Sequence, residues 1–182
     1  MPEWDDHQIL EAVKTPGKEE LAFNQLVARY QERLYWHIRK ILVDHDDTDD
    51  VLQNTFLKVW RSLPVFRGDS ELYTWLYRIA TNEALTFLKR KKKQTFAPWV
   101  DVEQKMSESL ESDPWFNGNE IQLKLQQAIL KLPEKQRIVF NLKYFEEMKY
   151  EEMAGILNTS VGALKASYHH AVKKIEAMLG DD

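Results

Sequence analysis

Apolar side chains recur at three- and four-residue spacings along most of this 182-residue chain, the period at which one face of an α-helix meets a core. From Glu19 to about Val43 the stripe Phe23, Leu26, Val27, Tyr30, Leu34, Ile38 and Leu42 is unbroken, which predicts a long core-facing helix. Glu3 to Lys14 reads as a shorter helix, ended by the Pro16-Gly17 breaker. A third, from about Thr48 to Leu63, turns Val51, Leu52, Thr55, Phe56, Val59, Trp60 and Leu63 inward and stops at Pro64. A turn at Gly68-Asp69 and a cap at Ser70 then open a fourth helix. Its buried face is Leu72, Trp75, Leu76, Ile79 and Ala80, and it ends in the basic run Lys89, Arg90, Lys91, Lys92 and Lys93.

Periodicity is lost from Gln94 to Asn119, where Ser, Pro, Gly, Asn and acids surround the isolated Trp99, Trp115 and Phe116. This stretch reads as a linker whose aromatics dock on its own domains or elsewhere. A structureless segment of this length is unusual inside one compact domain, so the chain is expected to divide into a domain at 1–93, a linker at 94–119 and a second domain at 120–182. In the second, Ile121, Leu125, Ala128, Ile129 and Leu132 mark a helix halted before Pro133, and Ile138, Val139, Leu142 and Phe145 mark another from Glu134. Tyr150 to Leu157 then forms a short helix with Met153, Ala154 and Leu157 inward. Asn158 suits a left-handed turn, and Ser160 caps a long helix striped by Val161, Leu164, Tyr168, Val172, Ile175 and Leu179. The expected fold class is all-α: two small helical domains on a flexible linker, the second a helix-turn-helix.

Composition removes several function classes. The chain has no cysteine, which rules out disulfides, thiolate zinc sites and cysteine nucleophiles and fits a reducing compartment. Its apolar runs are too short to span a bilayer. The acidic start MPEWDDHQIL carries no basic segment followed by an apolar one, so a cytoplasmic location without membrane insertion is expected. There is no phosphate loop, GxSxG or HExxH, and His7, His37 and His45 lack metal-ligand spacing, so no enzyme, metal or cofactor is expected. The acidic run DHDDTDDVLQNT places Asp49 and Thr55 where a calcium loop needs Gly and Glu. It reads better as a helix N-terminus, where carboxylates complement the helix dipole. A net charge of −4 argues against tight, independent grip on duplex DNA.

Three surfaces carry candidate chemistry. On the third helix Asp50, Gln53, Asn54, Leu57 and Arg61 form a second stripe, and the apolar Leu57 within it suits a partner surface better than plain solvated face. On the fourth, Thr74, Tyr77, Arg78 and Thr81, with Asn82 at the edge, lie opposite the core stripe. Aromatic side chains followed by a basic run suit single-stranded nucleic acid, because bases stack on rings while cations follow the phosphates. The alternative is that Trp75 belongs to the core and the lysines complement the helix dipole. The last helix leaves Gly162, Ala163, Ala166, His169, His170 and Lys173 outside, a face that helix-turn-helix geometry presents to the DNA major groove, although two such helices can also simply pack together.

In chain order, DDVLQNTFLKVW (Asp49 to Trp60), FRGDSELYTWLYRIATN (Phe66 to Asn82) and LPEKQRIVFNLKYFEEMKYEEMAGILNTSVGALK (Leu132 to Lys165) resemble a sigma-70 family transcription initiation factor of the small, extracytoplasmic-function group. The resemblance covers nearly the whole chain. It implies a region 2 domain at 1–93 and a region 4 domain at 120–182. It also implies that Asp50, Gln53, Asn54 and Leu57 meet the beta-prime clamp helices of bacterial core RNA polymerase. Phe66, Tyr73, Trp75, Tyr77, Arg78 and Asn82 would act at the promoter minus-10 element, with Phe66 and Asn82 forming the pocket for a flipped base. Ser160, Gly162, Ala163, Lys165, Ala166, His169, His170 and Lys173 would act at minus-35, while region 4 grips the beta flap. An anti-sigma factor is admitted as a further partner. The chain departs from the family where Asn54 replaces a frequent Glu, Thr86 an acid or Asn, and Ser167 and His170 an Arg. The competing expectation is a helix-turn-helix regulator that acts without being a polymerase subunit.

Overall fold

Local signals open and close the helices much as the sequence predicts. The structure, a computed structural model, describes residues 2–95, 99–114 and 118–180. Helix α1 (Asp6–Val13) starts on a reciprocal cap in which Asp5 accepts from the Gln8 amide at 2.8 Å and Gln8 accepts from the Asp5 amide at 2.9 Å. Helix α2 (Glu19–Leu42) is the long central rod. Asp44 caps α3 (His45–Ser62), accepting from the Asp47 amide at 2.9 Å, so the acidic cluster is a helix start as expected. A short 3-10 turn at Leu63–Val65 follows. Gly68, at φ 79°, makes the turn that no side-chained residue adopts readily. Helix α4 (Leu72–Thr95) begins one residue later than a Ser70 cap requires, since the Glu71 carbonyl accepts its first bond from Trp75.

The segment expected to be structureless contains a helix, α5 (Trp99–Ser112). Met106 and Leu110 lie under Val43 and Leu130 in a small separate cluster, and Arg39 at the end of α2 pairs with Asp113. Among the described side chains of α5, Met106 and Leu110 are the buried ones, too few to show a period in the sequence. Trp115 and Phe116, expected to dock, lie outside the described residues. Four helices complete the chain: α6 (Glu120–Leu130), α7 (Glu134–Tyr144), α8 (Tyr150–Leu157) and α9 (Val161–Gly180). Among the described residues there is no strand, and the all-α expectation holds.

Three residues assigned to stripes are not core. Trp60 is 44 % exposed and Ile121 76 %. Leu179 likewise lies on the last turn of α9 and is exposed, while Ala171 is buried in its stead.

The two domains are not independent bodies on a tether. One hydrophobic core runs from α1–α4, through Leu26, Leu34, Leu72 and Leu76, into Ile138, Met148, Met153, Ile156 and Leu164 of the C-terminal helices. A second cluster of Ile129, Leu132, Phe140, Ala171 and Ile175 is internal to the C-terminal domain.

His37 lies fully inside the first domain, its Nε2 2.8 Å from Thr81 Oγ1 and its ring 4.8 Å from that of Tyr77. Burial, helped by the nearby Lys40 charge, pushes its pKa down to about 3. The imidazole is therefore neutral when folded, whereas in the unfolded chain it protonates near 6.5. Its contribution is complete above that value and is lost as pH falls toward 3, because the unfolded state then binds the extra proton. Urea titrations should show this residue removing about 2 kcal/mol of stability by roughly pH 5. His37→Gln, which can still bond Thr81, should remove that part of the pH dependence, and an unchanged slope would show that His37 is not its source.

Candidate nucleic-acid interface

The α3 strip is exposed along its length. Asp44 sets the start of the helix, Val51, Thr55 and Val59 hold its inner face in the core, and Asp50, Gln53, Asn54, Leu57 and Arg61 consequently point to solvent. Leu57 is 49 % exposed, a large apolar side chain within a polar surface. Sequence reasoning missed two neighbours. Trp60, edge-on to Phe23 with centroids 5.0 Å apart, and Val65, 75 % exposed, extend the apolar part. Trp60 stands three residues after Leu57 and could have been found by continuing the outer stripe. A cleft of about 480 Å³ beside it is lined by Val13, Glu19, Glu20, Trp60, Leu63 and Pro64.

The fourth-helix candidates fall into two groups. Phe66 packs on Trp75, ring centroids 4.8 Å apart, and both are half-buried. Asn82 is exposed seven residues later, roughly 10 Å along the axis. On the opposite side Tyr77 is 0 % exposed and its hydroxyl donates to Glu146 Oε2 at 2.7 Å. Desolvation, together with the Glu146 carboxylate, raises the Tyr77 pKa. Tyr73 is half-buried, its pKa raised by burial and by a hydrogen bond to Glu152 of α8. Thr74 and Thr81 are buried. The face that sequence reasoning left outside the core is covered by the C-terminal domain. Arg78 and Asn82 line a cleft of about 550 Å³ whose other wall is Ala154, Gly155, Ile156, Leu157 and Asn158. In the basic run Lys91 pairs with Asp47 and Lys92 with Glu134, at 2.8 Å for the latter, whereas Lys89, Arg90 and Lys93 are exposed.

The helix-turn-helix is built as its sequence signals require. Asn158 adopts the left-handed conformation, φ 52° and ψ 49°, which an amide side chain tolerates better than most. Ser160 Oγ accepts from the Ala163 amide at 3.2 Å. Leu164, Ala171 and Ile175 anchor α9, leaving Gly162, Ala163, Lys165, Ala166, His169, His170 and Lys173 exposed on one side. Lys165 is held near the Tyr150 ring, 5.7 Å from its centroid. On the far side of this domain Ile121 and the half-exposed Tyr144 flank a cleft of about 430 Å³, with Leu125, Phe145 and Lys40. Lys40 Nζ lies 4.4 Å from the Phe145 ring centroid, and burial lowers its pKa.

A helix-turn-helix with an open recognition face, preceded by a helical bundle carrying an exposed polar-apolar strip, defines a two-domain transcription protein. The sigma-70 region 2 family model matches residues 26–94 and the sigma-70 region 4 model residues 122–175. The RNA polymerase sigma-H factor of Pseudomonas aeruginosa is 33% identical over 184 residues, covering 96% of this chain and 93% of that protein. The ECF RNA polymerase sigma-E factor of Escherichia coli K12 is 33% identical over 181 residues, covering 94% and 92%. CnrH, solved in complex with the cytosolic domain of CnrY, superposes with a TM-score of 0.70 at 25% identity over 97% of this chain and 98% of that one. The sigma factor RpoE of Bartonella quintana, solved with the anti-sigma factor NepR, shares the fold with a TM-score of 0.71 at 22% identity over 88% and 98%. The chain belongs to the sigma-70 family of RNA polymerase sigma factors, in its extracytoplasmic-function group. The region 2 match leaves no support for a regulator acting apart from polymerase.

The caps that orient α9 can be tested by chemical denaturation. Ser160→Ala should cost about 1 kcal/mol. Asn158→Ala should cost a similar ~1 kcal/mol through its left-handed backbone, and Asn158→Gly much less.

Proposed function

We propose that the α3 strip is the main docking surface for core RNA polymerase. On this reading Asp50, Gln53 and Asn54 bond the beta-prime clamp helices while Leu57, with Trp60 beside it, enters an apolar seat. The observation that carries it is a large apolar side chain, half exposed, inside a polar strip on a helix whose opposite face is anchored in the core by Val51, Thr55 and Val59. The Ile121–Tyr144 cleft is the corresponding seat for the beta flap. Such a partner supplies positive charge that this chain lacks, so promoter selectivity belongs to the holoenzyme. The protein works in the cytoplasm with no enzymatic activity of its own, and an anti-sigma factor is a fitting partner class, given that RpoE of Bartonella quintana was solved with one.

In the same reading Phe66, Tyr73, Trp75, Tyr77, Arg78 and Asn82 serve minus-10 recognition and strand opening, a flipped base costing a few kcal/mol that stacking and hydrogen bonds must offset. Phe66 and Asn82 contribute to the pocket that receives that base. The α9 face serves minus-35. Gly162, Ala163 and Ala166 allow close approach and methyl contact, Ser160, Lys165 and Lys173 bond phosphates, and His169 and His170 donate hydrogen bonds.

Leu57→Asp should weaken co-purification with core polymerase by at least about tenfold, an exposed apolar anchor of roughly 1.4 kcal/mol or more being lost, with no change in melting temperature. Retained binding would remove α3 from the interface. Ala166→Glu should abolish minus-35-dependent transcription in vitro while core binding persists, since it sets a carboxylate against the groove. Lys165→Ala should weaken all minus-35 variants alike. An active Ala166→Glu protein would refute the assignment of α9.

A further inference from the structure

Between α2 and α3 the chain reverses at Val43 and Asp44, and the reversal sets Tyr35 of the central rod beside His45, the first residue of the next helix. The Tyr35 hydroxyl lies 2.6 Å from His45 Nδ1. On the other edge of the ring, His45 Nε2 lies 3.2 Å from Asp49 Oδ2, one turn further along α3. A carboxylate accepts only from an Nε2–H, so the neutral ring carries its proton there and Nδ1 is left to accept the phenol proton. A fourth group meets the same oxygen, since Arg39 Nη1 donates to the Tyr35 hydroxyl at 2.7 Å. Arg39 is itself fixed by the Val43 carbonyl and by Asp113 of α5. A hydroxyl, an imidazole base and an orienting carboxylate, with a guanidinium placed to hold negative charge developing on the oxygen, turn a weak nucleophile into a strong one.

The other tyrosines lack a part of this array. Tyr30 and Tyr77 donate to Asp6 and Glu146 at 2.7 Å, but both rings are buried beyond the reach of a reagent. Tyr144 is 52 % exposed and has no base at its hydroxyl among the described residues. Tyr35 is half-buried and its partners His45 and Asp49 are exposed, so the array opens to solvent. Its surroundings choose the reagent: Asp44, Asp46, Asp47 and Asp50 crowd the same helix start, and they repel a polyanionic donor but not a neutral one.

We propose that Tyr35 is an activated tyrosine, a site of covalent O-acylation by small neutral acyl donors. Its oxygen attacks the acyl carbon while its proton passes to His45 Nδ1. The new C–O bond forms, the bond from the acyl carbon to the leaving group breaks, and the leaving group takes the proton from His45 as it departs. Tyr35, Arg39, His45 and Asp49 belong to none of the surfaces assigned to polymerase or promoter, so the site stands apart from that reading.

The test treats the full chain with a limiting amount of N-acetylimidazole and locates acetyl-tyrosine by peptide mass mapping, with circular dichroism to report folding. A well-placed general base is worth about a hundredfold or more, so Tyr35 should acetylate at least about tenfold faster than the more exposed Tyr144. The pH profile separates this from mere accessibility. An unassisted phenol reacts through its phenolate and gains about tenfold per pH unit below about 10, whereas one served by an imidazole levels off above about 6.5; Tyr35 should show the second form. His45→Gln, which leaves a polar side chain and no base, should slow Tyr35 to about the Tyr144 rate and restore the first form. Asp49→Asn acts only through His45, as a positioning change, and should slow Tyr35 without altering Tyr144. Equal rates at the two tyrosines, a Tyr35 rate that climbs about tenfold per pH unit, or an unslowed His45→Gln chain would reduce Tyr35 to an ordinary surface phenol. Should His45→Gln fail to fold, Asp49→Asn decides alone, and an unslowed Tyr35 in it overturns the proposal.

Discussion

The arrangement of this molecule depends on the packing of α8 and its preceding loop against α4. Tyr77 is the pivot: a fully buried phenol whose ring belongs to the apolar core and whose hydroxyl must find an acceptor. The acceptor comes from the turn after α7, where Glu146 sits beside Glu147 at φ 51°. Once that bond forms, Met148, Met153 and Ile156 are drawn onto the α4 surface and the two cores merge. The hydrophobic gain is of the ordinary size for a few buried side chains, about 1.5–3 kcal/mol each at full burial. It is offset in part by the polar groups it covers.

The short helix α5 fits this packing. Val43, with φ 68°, ends α2 in a backbone conformation that β-branched residues rarely take. It turns its side chain toward Met106 and Leu110, while Arg39 bonds the Val43 carbonyl and pairs with Asp113. The strained end of α2 is therefore held by the linker helix, and the linker helix by the strained end. Leu130 of α6 contributes one edge of the cluster, so the same anchor ties the linker helix to the C-terminal domain.

Charge is the physical ground for assigning promoter selectivity to the holoenzyme as proposed above. Two of the five cations of the α4 run are engaged by Asp47 and Glu134, and α9 presents small residues and histidines where a self-sufficient DNA reader has arginines. With a net charge of −4, counterion release cannot supply tight binding on its own.

Sequence alone determined the elements and most of their boundaries. The α2 stripe, the Asp-rich start of α3, the Asn158 turn and the Ser160 cap are local matters, decided by side-chain period and by which residues satisfy free backbone groups within a few positions. The exposed strip on α3 and the open face of α9 were legible for the same reason, since a helix that buries one face must show the other. Tertiary structure decided what a second layer covers. Periodicity identifies Thr74, Tyr77 and Thr81 as lying off the first core but cannot tell solvent from a polar contact with a distant segment; burial of that face depends on Glu146, nearly seventy residues away. It likewise could not place Ile121 and Leu179 outside the core, because a stripe records which side of a helix is apolar and not what packs against it.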